Sequence, residues 1–88
     1  MASTYTAEYQ LVIKTLREAR IAKGITQEML AQALERPQSF IAKVENGERR
    51  LDVVEFVQLA RLLALDPAQV LNSIPFRLNP LSYNRNEI

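Results

Sequence analysis

Residues 25–50 read ITQEMLAQALERPQSFIAKVENGERR, and their pattern decides the fold. Thr26 is an N-cap residue type, set just before the apolar positions of a short helix. Ile25 and Leu30 have the spacing of a hydrophobic staple. Met29, Leu30, Ala33 and Leu34 are expected to supply the apolar surface of this helix, over about residues 27–34. Pro37 is expected to open the next helix as its first residue, because its missing N–H had no partner to lose. That helix runs to about residue 45, with Ile41 and Val44 facing inward, and Asn46-Gly47 is a turn signal that stops it. The stretch is therefore two short helices joined by a tight turn.

The flanking sequence adds three more helices. Upstream, Tyr9, Val12, Ile13, Leu16 and Ala19 recur at steps of three and four, which predicts one buried face over residues 7–23. Gly24 then supplies a left-handed end. Downstream, Asp52 and Glu55 have capping-box spacing, and Leu51 and Phe56 have staple spacing. Phe56, Leu59, Ala60 and Leu63 form the apolar stripe of this fourth helix. The fifth repeats the device: Asp66 caps, Pro67 opens, Gln69 completes a box, and Leu65 can staple to Val70. It ends near Ser73, before Pro75. No strand-like alternation of useful length occurs, so the expected class is all-α with five helices. Residues 74–88 contain two prolines, three asparagines and scattered apolar groups. They read as an extended tail beyond a domain of residues 1–73, which packs on the domain, joins a partner subunit or is otherwise disordered.

Composition narrows the function. The chain has 88 residues, of which 48% are hydrophobic, enough for one small core. It has no cysteine and no histidine, which removes disulfides, thiolate metal sites and the commonest general base. No nucleophile–base pair suggests itself, so neither an enzyme nor a metal or cofactor is expected. No apolar run reaches membrane-spanning length, and MASTYTAEYQ does not have the pattern of a signal peptide. A cytoplasmic location is expected. Net charge is only +1, but residues 11–50 hold eight Lys/Arg against five Glu, while residues 51–88 hold three against four acidic groups. Positive charge thus sits with the two-helix unit, as a nucleic-acid partner would require; an ordinary solvated surface is the plainer account.

TQEMLAQAL, a short turn and PQSFIAKVENGERR resemble the Cro/C1-type helix-turn-helix proteins, the XRE family. The likeness extends over about residues 11–71. It rests on Thr26-Gln27, Ala31, Ile41, Val44, Glu45-Asn46-Gly47, Leu59-Ala60 and Leu63-Ala64-Leu65-Asp66, in that order and spacing. It implies a lambda-repressor-like DNA-binding domain. Ala31 would lie where the two helices cross, where a larger side chain would cost about 1–3 kcal/mol by overpacking. With Ile41 and Val44 anchored inward, Gln38, Ser39, Ala42 and Lys43 point outward. Gln38, Ser39 and Lys43 are the candidate base readers, since Gln pairs bidentately with adenine, Ser bonds several bases and Lys prefers guanine. Gln27 opens its helix toward a phosphate, and the resemblance implies that it also supports the start of the recognition helix. Arg36, Asn46, Arg49 and Arg50 are the further candidates for backbone contact. Arg20 and Lys23 could approach the strand, but the resemblance implies that Arg20 instead pairs with Glu45 as a structural brace. Solvated helix polars are the bland account of Gln27, Gln38 and Ser39. Phe40 covers the core edge or touches a thymine methyl or sugar.

Two positions depart from the family pattern. Glu35 stands where the turn often has glycine, at a cost of about 1–2 kcal/mol if left-handed. Arg36 is a poor N-cap, and its placement suits DNA better than folding. The expected function is a sequence-specific transcriptional repressor, bound to an inverted-repeat operator as a homodimer with its third helix in the major groove. The dimer surface is expected from the fifth helix and tail, through Val70, Ile74, Phe76 and Leu78. An antitoxin, or a protein-interaction adaptor on the same fold, is the rival reading, with the tail as the partner-binding segment.

Overall fold

The computed structural model describes residues 6–82. Five helices follow in order: α1 (Ala7–Ala22), α2 (Gln27–Ala33), α3 (Gln38–Asn46), α4 (Val53–Leu62) and α5 (Pro67–Asn72), and the described residues contain no strand. None of these helices is long and apolar enough to cross a membrane.

Local chemistry sets the starts of the helices. Thr6 caps α1 by accepting the Tyr9 N–H, and Thr26 caps α2 by accepting the Met29 N–H at 3.0 Å. Asp52 and Glu55 close a reciprocal capping box at α4, with Asp52 accepting the Glu55 N–H at 2.7 Å and Glu55 accepting the Asp52 N–H at 2.9 Å. At α5, Asp66 accepts from Ala68 at 3.0 Å, so the box expected with Gln69 does not form. Pro37 is the N-cap of α3 rather than its first helical residue, and no side chain caps that end.

Four helices stop by one device. Gly24, Glu35, Gly47 and Ala64 have φ of 71°, 57°, 85° and 57°. At each, the following residue donates back to a carbonyl five positions earlier, as Arg36 does to Ala31 at 2.9 Å and Leu65 to Ala60 at 2.8 Å. Glu35 is thus left-handed, with the strain that a Cβ brings there. The bend lets α3 turn back across α2.

Ala31 of α2 and Ile41 of α3, 2% and 1% exposed, are buried in one core with Val44 of α3, Leu16 of α1, and Leu59 and the C-cap Leu63 of α4. Met29, expected to contribute apolar surface, is instead 53% exposed. It sits one step round α2 from the buried Leu30, outside the narrow contact stripe. Val70 and Ile74, expected to exceed the needs of the core, are buried in it. Of the large apolar side chains in the described part of the tail, Phe76, Leu78 and Leu81 are exposed, as is Leu71 of α5. Tyr83, another of the tail's apolar groups, lies outside the described residues.

Candidate nucleic-acid interface

Anchoring α3 through Phe40, Ile41 and Val44 leaves the rest of its circumference outside the core. Gln38, Ser39, Lys43 and Asn46 are exposed, and Ala42 is half-buried. The exposed row begins at the N-terminal end of α3, reached directly from the tight turn.

The orientation of Gln38 is set by a chain of side chains joining α1, α2 and α3. Arg20 forks onto Glu45, with Nε 2.6 Å from Oε2 and Nη2 2.9 Å from Oε1. Its Nη1 donates to the Ile25 carbonyl at 2.8 Å. Both side chains are nearly closed to water, at 11% and 8% exposure. Glu45 also accepts from Gln27 Nε2 at 2.9 Å. That bond fixes which way the Gln27 amide faces, so its oxygen meets Gln38 Nε2 at 2.7 Å. Gln38 keeps one amide N–H and its carbonyl oxygen, the donor–acceptor pair that matches an adenine edge.

A second cluster brackets α3. Glu55 is buried on the first turn of α4. Arg49 donates to it from Nη1 and Nη2 at 3.2 and 2.9 Å, and Arg36 from Nη1 at 3.1 Å. Arg49 also donates to the Arg50 carbonyl. The Arg36 and Arg49 guanidiniums lie 3.9 and 5.0 Å from the centre of the Phe40 ring, which is itself buried at the core edge. Burial of Glu55 works against its ionisation. The Asp52 N–H and the Arg49 and Arg36 guanidiniums outweigh it and hold the carboxyl below its ordinary value. Arg50 stacks on Tyr9 at 4.6 Å, and the Tyr9 hydroxyl accepts the Leu51 N–H at 2.9 Å.

Six of the residues singled out from sequence fall into two groups, while Ser39, Lys43 and Asn46 are exposed on α3 and Arg50 stacks on Tyr9 outside both. Gln27, Gln38, Arg20 and Glu45 form one connected chain, while Arg36 and Arg49 converge on Glu55. Glu55 was recognisable beforehand only as half of a capping box. The one sequence signal of its second role is a carboxylate six residues after Arg49, too weak to single out.

A helix-turn-helix domain family model matches residues 14–72, which include the Arg20–Glu45–Gln27–Gln38 chain and the Glu55 cluster. An XRE-family-like protein from Pseudomonas syringae pv. tomato str. DC3000 has 53% sequence identity and a TM-score of 0.72, over 75% of this chain and 80% of that one. The chain belongs to the XRE family of helix-turn-helix proteins. The restriction-modification controller protein C.AhdI from Aeromonas hydrophila has the same fold, with 33% identity and a TM-score of 0.64 over 75% of this chain and 98% of its own. A search of curated protein sequences finds no match. As an XRE-family protein, the chain carries a DNA-binding helix-turn-helix unit, of which α2 and α3 are the two helices.

Proposed function

We propose that this XRE-family protein is a sequence-specific transcriptional repressor that binds an inverted-repeat operator as a homodimer, with α3 in the major groove. The observation that carries the reading is the exposed Gln38 amide, held through Gln27 by the closed Arg20–Glu45 pair. Preorganised groups read bases better than free ones, because less side-chain freedom is lost on binding. Gln38, Ser39 and Lys43 read base edges. Gln27, through its remaining amide N–H, and Arg36, Asn46, Arg49 and Arg50 hold phosphates on either side.

One α3 spans only a few base pairs, so useful specificity calls for two, about 34 Å apart on one face of the duplex. The exposed Leu71, Phe76, Leu78 and Leu81 support a dimer formed through α5 and the tail. The likeness to a restriction-modification controller supports a regulatory role. Selection of bound fragments from a random duplex pool tests the proposal. An inverted repeat with half-sites one helical turn apart is expected. Recovery of no enriched sequence would refute it, and an adaptor would show no salt-dependent duplex binding at all. Sedimentation of the full chain with Phe76→Ser and Leu78→Ser checks the interface, since an unchanged dimer would exclude the tail.

A further inference from the structure

We propose that Glu55 is a positioning residue for DNA binding: its carboxylate gathers Arg36 and Arg49, one from each side of α3, into a paired-guanidinium cradle for a backbone phosphate. The inference rests on the DNA-binding reading above. It makes a buried negative charge necessary for holding a polyanion.

Three observations lead there. The N-terminal end of α3 has no side-chain cap, so no local device holds it. Arg36 lies just before that end and Arg49 just after the Gly47 turn, so the two straddle the helix in sequence. Yet both guanidiniums reach one carboxylate, and both lie on the face of the Phe40 ring.

The donor inventory shows what the cradle still offers. A carboxylate has about four acceptor sites. Those of Glu55 take the Asp52 N–H, two donors of Arg49 and one of Arg36, and are filled. Arg36 keeps four of its five N–H donors, and Arg49 keeps Nε–H and one Nη2–H. Their side chains are 38% and 41% exposed, against 11% for Glu55. The carboxylate is thus shielded from solvent, while the arginine side chains that carry the unused donors have access to it. One negative charge against two positive leaves a net cation. Without Glu55 the two like charges would separate, and two long side chains would regain their rotamer freedom.

Glu55→Gln tests this cleanly, because glutamine also serves at the third position of a capping box and keeps an oxygen for the Asp52 N–H. Plain charge counting predicts that removing a negative group strengthens DNA binding. The cradle predicts the opposite: weaker binding and a flatter dependence of log K on log salt for a random duplex. Each lost phosphate contact lowers that slope by about 0.9, which is about eightfold in affinity at 0.1 M salt relative to 1 M. Arg36→Gln with Arg49→Gln should reproduce the flattening, and adding Glu55→Gln to that pair should change the slope no further. Circular dichroism ensures that every variant is compared folded. A role confined to folding would reduce the active fraction and leave the slope as it was. An unchanged or steeper slope for Glu55→Gln, beside a wild type that binds with a steep one, overturns the inference alone. A wild type that binds no duplex at 50 mM salt overturns the DNA-binding reading, and this inference with it.

Discussion

Glu45→Leu should destabilise the domain more than Arg20→Met, and the double substitution should restore most of the loss. Arg20 is 11% exposed and has three acceptors, two of them on Glu45. Removing Glu45 leaves a nearly closed guanidinium with only the Ile25 carbonyl. Stranding one partner of a buried pair costs about 3–5 kcal/mol, a large part of the roughly 5–15 kcal/mol that holds a small domain together. Removing Arg20 instead leaves Glu45 with the Gln27 N–H, and with Arg17 already 3.7 Å away and 55% exposed, free to move in. All three Arg20 bonds are lost, but Glu45 keeps one partner and gains another, so the expected cost is about 1.5–3 kcal/mol, the range for a net loss equivalent to one hydrogen bond to a charged group. The double variant has no stranded charge and should fall within about 1 kcal/mol of wild type. Urea denaturation followed by far-UV circular dichroism at pH 7 measures all four corners of the cycle. Additive changes, within about 0.5 kcal/mol, would show that the pair is not coupled and that the brace contributes no more than an exposed ion pair. The double variant should also lose operator preference while remaining folded, because Gln27 no longer has an anchor for presenting Gln38.

Other outcomes follow from the same geometry. Gln38→Ala should weaken binding to the selected operator by about 1–3 kcal/mol and relax one base position, whereas Arg50→Ala should weaken every duplex alike and lower the salt slope by about 0.9, both read by fluorescence anisotropy. Glu35→Gly should raise stability by about 1 kcal/mol, since it removes a Cβ from a backbone with φ 57°, and a melting temperature about 4–8 °C higher is the check. Acid should erode the contribution of Glu55. Its carboxyl is held below its ordinary value in the folded protein, so the stability it adds is present above the ordinary carboxylate range and is lost as pH falls through the lowered value. The gap in urea midpoint between wild type and Glu55→Gln should therefore narrow on acidification from pH 7 to 3; a gap that stays constant would contradict the assignment.

Helix positions were legible because their causes are local. Thr26, Asp52 and Asp66 cap the first turn after them, and Gly24 and Gly47 end the helices before them, all within a few residues. The buried face of α3 was legible from Ile41 and Val44, three apart. The Arg20–Glu45 pairing, 25 residues apart in sequence, could be anticipated only through the family resemblance. Periodicity does not reveal which polar groups meet across the fold.

Local sequence alone determined five helices, the stops at Gly24 and Gly47 and the outward row of Gln38, Ser39 and Lys43, because capping and apolar spacing act over one or two turns. Tertiary structure alone decided that Met29 stays in solvent, that Val70 and Ile74 complete the core, and that Arg36 and Arg49 share the carboxylate of Glu55. Those outcomes depend on the crossing of α2, α3 and α4, which brings together side chains that no short-range rule connects.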